Sequence, residues 1–472
     1  MRLIKTIFAS TVIATSAALA PSASAFCGFY VAKADTDLFN ESSKVALVRD
    51  GERTVITMAN DYQGDPKEFA MVIPVPTVIT KEQVHISQSS LLDHLDAYTA
   101  PRLVEYFDDN PCERRLYMKA MRSSAPMAVE AETMQDSATD LGVTIEESFS
   151  AGEYDILILS AKESDGLETW LSTNGYKIPK GASKTLGSYI KQDMKFFVAK
   201  VNLKRKNASG ETFLNPIAVA YESPKFMLPI RLGTVNAKGT QDLFVYALTR
   251  NGRVETTNYR THKIPSNKEL PIFIKDDFKD FYRDMYKTSA EREGGKGVFM
   301  EYAWDMNWCD PCAADPLSDE QLRELGVFWL DEPPQYDEGR PVPMPRPIPQ
   351  RRFGGKSMAK DVYVTRLHVR YDAKSFPEDL KFKMTGNREN FQGRYILRHA
   401  YDGEMDCPEA KEYKQLVNKR KEKEIKTLAN LTGWETGYIR TKIDAASSGG
   451  FFKLDDPEKP KRPWWVDLWG GK

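Results

Sequence analysis

The chain has 472 residues, 41% of them hydrophobic, which is enough for a substantial core and more than one minimal domain. Its 66 Lys and Arg nearly match its 67 Asp and Glu, leaving a formal net charge of −1. That balance argues against a nucleic-acid binder held by charge, and equally against an acidic solvating chain.

At the N-terminus, Arg2 and Lys5 precede the apolar stretch Ile7 to Ala20. Ala23-Ser24-Ala25 then supplies the small-x-small pattern that signal peptidases cut after. The stretch is short for a membrane span, so residues 1–25 read as a removable signal and the protein as exported, periplasmic or extracellular. Phe26 is too large to precede a lipid-anchored Cys27. Further on, the most apolar run is Phe69 to Ile79, and Pro74 and Pro76 interrupt it. No transmembrane helix is expected in the mature chain.

Strand signals open that chain. Val45–Val48 and Thr54–Met58 flank Asp50-Gly51, a turn pair suited to a tight hairpin. Phe69–Val75, Tyr154–Leu159, Lys195–Leu203 and Ile217–Tyr221 read as further strands. A second hairpin is expected from Leu243–Leu248, Asn251-Gly252 and Val254 onward. Val298–Ala303 and Val362–Tyr371 complete the strands.

Helices are interspersed. Ser164 opens one that carries Leu167, Trp170 and Leu171 and ends at Asn174-Gly175. Phe278, Phe281, Tyr282, Met285 and Tyr286 form a stripe at helical spacing. Ser318 and Gln321 have capping-box spacing, with Gly326 closing that helix. Pro408 begins a longer helix reaching Gly433, with Tyr413, Leu416, Val417, Ile425 and Leu428 inward. Its charged run Lys419–Lys423 reads as a solvated face. Without regular βα alternation, the fold class is α+β: hairpin-containing antiparallel sheets with short helices between them.

Composition divides the chain further. After the signal, an N-terminal α+β part covers 26–121, a connector poor in apolar periodicity covers 122–140, and a central α+β part covers 141–332. A proline-rich linker at 333–357, extended and exposed, leads to a C-terminal part at 358–472 with the long helix and a Trp-rich tail.

The five cysteines are Cys27, Cys112, Cys309, Cys312 and Cys407. In an oxidising compartment disulfides are the default, and an odd count leaves one thiol over. Cys309 with Cys312 is the first pair; Cys27 and Cys112 could bridge each other and leave Cys407 over, but sequence does not fix the connectivity. Trp308-Cys309-Asp310-Pro311-Cys312 resembles the redox motif of thioredoxin-like proteins, in which the first thiol attacks a disulfide and the second resolves the mixed intermediate. The capping residues, however, start the next helix near Ser318, beyond both sulfurs, so a structural bridge is preferred to an exchange site. A zinc site would need two more ligands than this pair supplies.

His85, His94, His262, His368 and His399 show no metal-ligand or nucleophile–base spacing. His94 reads as a helix-surface residue. Asp35, Asp37 and Asn40 read as solvated loop groups, because the glycine and terminal glutamate of a hand-type calcium loop are missing. Gly294-Gly295-Lys296-Gly297 reads as a turn entering a strand. No cofactor and no metal are expected. In the tail, Lys461 and Arg462 precede Trp464, Trp465 and Trp469, which suits docking onto the protein's own body or, second, a peripheral membrane contact.

Several stretches together resemble the bacterial family called domain of unknown function 2330. They are Cys27-Gly28-Phe29, the run Phe69 to Pro76, Trp170-Leu171 with Asn174-Gly175-Tyr176, Leu228-Pro229-Ile230-Arg231, and Asn390 to Tyr395. The resemblance implies export and one family unit after the signal. It implies no catalytic role for any position. The expected function is a non-enzymatic binding or scaffold protein of the cell envelope, with an envelope protein or ligand as partner. The alternative is a thiol–disulfide oxidoreductase using Cys309 and Cys312.

Overall fold

A computed structural model describes residues 29–32, 42–60, 69–112, 144–161, 164–174, 176, 178, 181–202, 204–205, 214–235, 237, 239–307, 314–330 and 361–447. The expected signal, Cys27, the Asp35–Asn40 acids, the 122–140 connector, Cys309, Cys312, the proline-rich stretch and Trp464, Trp465 and Trp469 lie outside these residues.

The first elements are β1 (Phe29–Ala32), β2 (Ser42–Asp50), β3 (Arg53–Asn60), β4 (Phe69–Val75), β5 (Val84–Ile86), α1 (Ser89–Thr99) and β6 (Arg102–Phe107). Next come β7 (Thr144–Ala151), β8 (Tyr154–Ser160), α2 (Ser164–Thr173), α3 (Ala182–Ile190), β9 (Lys195–Val201), β10 (Ile217–Glu222) and β11 (Met227–Leu228). Then follow β12 (Gln241–Thr249), β13 (Val254–Thr256), β14 (Thr261–Lys263), β15 (Lys268–Leu270), α4 (Phe278–Arg292) and β16 (Val298–Asp305). The last are α5 (Asp319–Glu324), β17 (Tyr363–Tyr371), β18 (Leu380–Met384), β19 (Phe391–Gln392), β20 (Arg394–His399), α6 (Glu409–Thr432) and α7 (Thr436–Ser447). The fold is α+β.

Two sheets form the centre. One runs β1-β4-β9-β8-β7, all antiparallel; the other runs β14-β16-β17-β12-β2-β3-β10-β5, with β19 added beside β16. The larger sheet takes strands from all three parts outlined by composition. Its inner face, with Val45, Leu47, Val245 and Leu367, packs on Met71, Ile73, Ile156, Ile158 and Phe197 of the smaller sheet. Helices α2 and α3 cover the outer face of the smaller sheet through Leu167, Leu171, Leu186 and Tyr189. On the outer face of the larger sheet, α1 and α5 pack Leu91, Leu92, Leu95 and Leu322 over Ala46, Val48, Tyr246 and Val364. The layers are therefore helix, sheet, sheet, helix. Strand β2 is apolar at successive positions because both its faces are covered.

Local rules place several boundaries. The β2–β3 hairpin closes at Asp50 and Arg53, with Gly51 at φ +56°. Among the described residues β1 pairs with Phe69–Val72 and leaves that edge of β4 open at Pro74, where a missing N–H is tolerated. Ser318 Oγ accepts from Gln321 N and Gln321 Oε1 accepts from Ser318 N, which starts α5 as the spacing predicts.

Two expectations fail. The turn at Asn251-Gly252 exists, but β12 and β13 do not form a hairpin. Both edges of β12 are occupied, by β2 in parallel and β17 antiparallel, and β13 joins β18 in a separate three-stranded sheet. Gly252 permits this departure: its φ is +152°, and a Cβ there would stand 2.5 Å from the Thr385 carbonyl. Leu416 is 55% exposed rather than inward, because α6 packs into the core through its second half, where Ile425, Leu428 and Leu431 are buried.

The third sheet, β15-β20-β6, is wholly parallel. Strands β6 and β20 therefore leave it on the same side, and their continuations are joined by a disulfide between Cys112 and Cys407, with Cα atoms 5.6 Å apart. This corrects the expected Cys27–Cys112 pair: Cys112 is taken by Cys407. Beside the bridge, Asp108 accepts from Tyr413 Oη at 2.7 Å and Arg420 Nη2 at 2.8 Å, which clamps α6 to the end of β6.

Further along α6, Glu424 is buried. Burial pushes its carboxyl up to about 7; Glu269 adds to the rise and Arg420 opposes it. A raised carboxyl contributes stability below its ordinary value of 4.5 that is lost as pH rises through about 7. Substituting E424Q should therefore leave stability at pH 5 nearly unchanged and raise it at pH 8. At about 1.4 kcal/mol per pH unit the gain is up to about 3 kcal/mol, read from urea unfolding at both pH values.

Candidate functional site

The largest assembly of chemically capable side chains sits on the outer face of the nine-stranded sheet, under α1 and α4. Strand β17 reads Thr365-Arg366-Leu367-His368-Val369-Arg370, and the pleat sends the apolar members inward between the sheets. Arg366, His368 and Arg370 point the other way. Alternation of this kind ordinarily marks a wet face. Here it is roofed over: Arg366 is 5% and His368 4% exposed.

Opposite them, β16 carries a bulge between Met300 and Tyr302, where the register to β17 slips by one. Glu301 is the extra residue. The bulge re-aims its carboxylate among the β17 cations, and it is fully buried. Glu301 Oε2 accepts from Arg366 Nε at 2.6 Å, and Oε1 lies 2.7 Å from His368 Nδ1. Tyr282 of α4 donates its hydroxyl to the same Oε1.

The contacts extend in both directions. Arg366 Nη1 reaches Asp96 Oδ1 of α1 at 2.6 Å, and Lys44 Nζ of β2 lies 3.0 Å from both Asp96 and Asp93. On the other side, His368 Nε2 faces Asp242 Oδ1 of β12 at 3.4 Å, and Asp242 takes both Nε and Nη2 of Arg370 at 2.8 and 2.7 Å. Aromatic rings close the assembly. Tyr286 of α4 stacks on His368 with centroids 3.7 Å apart, and Phe244 lies 4.2 Å away.

Burial alone would raise the Glu301 carboxyl, but His368 and Arg366 hold it below its usual range. Asp242 and Asp96 follow the same pattern: burial opposes ionisation, and their cationic partners outweigh it, so both lie well below the usual carboxylate range. For His368 burial disfavours the charged ring, yet Glu301 and Asp242 keep it above its ordinary 6.5. Every strong acceptor meets a cation. What this arrangement does is fasten α1 to the sheet through Asp96 and Arg366, and α4 through Tyr282 and Tyr286; His368 is covered on its ring faces and bound at Nδ1, while its buried Nε2 makes no hydrogen bond. Among the described residues, no group of three or more His, Cys, Asp or Glu is placed to hold a metal ion.

The residues singled out from sequence fall elsewhere. Cys309 and Cys312 follow the last described residue of the β16 exit, Asn307, and α5 begins at Asp319. His94 lies on α1, half-buried: its Nε2 is 2.8 Å from the Asp315 carbonyl and its Nδ1 3.0 Å from Gln321 Nε2, tying α1 to α5. His85 pairs with Glu324 and His399 with Glu105 at the surface. Gly294 and Gly295 form the turn into β16 that the sequence suggests, with φ of +63° and +72°. No helix among the described residues is long and apolar enough to cross a membrane.

No curated protein and no solved structure matches this chain. A bacterial family matches it over residues 21–383, which includes every member of the buried ionic assembly and ends before β19 and α6. Over that span the chain belongs to the family described as uncharacterized protein conserved in bacteria, domain of unknown function 2330.

Proposed function

We propose that this is an exported bacterial protein that binds or scaffolds a component of the cell envelope without catalysing a reaction. The Cys112–Cys407 bridge carries this reading, because a covalent link across 295 residues of chain is kept only where thiols oxidise. It agrees with the secretion-signal pattern of residues 1–25. The non-enzymatic part rests on how the ionisable groups are used: Glu301, Arg366 and His368 are engaged with one another and buried, an arrangement suited to rigidity.

The test is fractionation of bacteria expressing the protein with a C-terminal tag, followed by mass analysis of its N-terminus. Recovery outside the cytoplasm with Phe26 first supports the reading, whereas an intact, fully reduced chain in the cytosol removes it. The same purified protein should not catalyse insulin reduction. Catalysis that disappears on C309S or C312S would establish the thiol–disulfide oxidoreductase instead.

A further inference from the structure

The assembly is a chain of groups in which Asp96, Glu301 and Asp242 each stand between two cations, with Asp93 at one end. In order, it runs Asp93, Lys44, Asp96, Arg366, Glu301, His368, Asp242 and Arg370. The signs alternate without a break only when His368 is charged. A neutral imidazole has one N–H, so one ring nitrogen would turn a lone pair toward a carboxylate, at Glu301 or at Asp242. Both carboxylates already serve another cation and cannot rotate away. We propose that His368 is held as an imidazolium bound to Glu301 and facing Asp242, and that the seating of α4 on the sheet is thereby a proton-linked contact that alkaline conditions loosen.

The surroundings allow no other source of that charge. The groups facing His368 are Glu301 of β16, Asp242 of β12, Arg366 and Arg370 of β17, and Tyr282 and Tyr286 of α4. Of these, the arginines are permanently charged. Burial holds both tyrosines far above their ordinary range, so they stay neutral. Of the groups that face one another here, His368 is the one whose charge changes near neutrality. His368 meets α4 directly, through the Tyr286 ring stacked on it and through Glu301, which also takes the Tyr282 hydroxyl. Helix α1 is held instead by Asp96 to Arg366 and Lys44, whose charges do not depend on that proton.

Histidine-selective 15N labelling of the full mature protein tests this, with the five histidines assigned by single substitution of the other four. The expected spectrum at pH 7 shows His368 protonated at both nitrogens, with its midpoint shifted above 6.5. A neutral His368 tautomer at pH 6, or a midpoint at or below 6.5, would overturn the proposal. Thermal unfolding gives a second reading, in an E424Q background that removes the carboxyl raised to about 7. The parent should lose stability between pH 6.5 and 9, and H368Q should lose that dependence. An unchanged alkaline fall in H368Q would sink the idea, and if H368Q fails to fold, the spectrum of the parent decides.

Discussion

Replacing Glu301 with alanine should destabilise the protein by about 3–5 kcal/mol, the range for removing one partner of a buried charge pair. The substitution leaves Arg366 and His368 facing each other with nothing between them, strips the Tyr282 hydroxyl of its acceptor and opens a void in a bulged strand. E301Q keeps the volume and one acceptor, so its loss should be smaller but still above about 1.5 kcal/mol. A control comes from the surface. Glu324 pairs with His85 where both side chains are well exposed, and E324A should cost less than about 1 kcal/mol. Urea unfolding at pH 7 separates the cases. A cost for E301A no larger than for E324A would mean that the ionic chain does not hold the helices.

The second large effect belongs to the disulfide. Closing 295 residues restricts the unfolded chain, and the loop-entropy relation puts the ceiling at about 5–6 kcal/mol, with measured bridges usually below it. The double variant C112S/C407S should therefore lose about 3–5 kcal/mol, and thiol reduction of the parent should reproduce that loss. Local effects will concentrate on α6. Its first half has no buried apolar side chain larger than Ala410 and is tied down by the bridge and by the Asp108 clamp to Tyr413 and Arg420. Hydrogen exchange should accelerate in residues 409–420 of the variant before it does so in the sheets.

Elements governed by neighbours in sequence could be read directly. The β2–β3 hairpin, the capping box of α5 and the α6 stop at Gly433 each depend on a few adjacent residues. Partner choice between strands does not. The Asn251-Gly252 turn is real, yet nothing local says that β2 has already filled the edge of β12 that a hairpin would need. The same blindness hid the ionic chain, whose members come from β2, α1, β12, β16 and β17. A signal was present: Glu301 interrupts an otherwise apolar and aromatic run from Val298 to Trp304, and a charge there must meet a partner or unfold the strand. The Cys112–Cys407 pair was hidden for a related reason, because only the parallel pairing of β6 with β20 brings the two ends together.

Peptide mapping under non-reducing conditions, on protein taken from the exported fraction and alkylated at once, bears most directly on the oxidised, stapled state. A cross-linked pair of peptides carrying Cys112 and Cys407 is the predicted product. Alkylated Cys112 and Cys407, or Cys112 joined to Cys27, would contradict it.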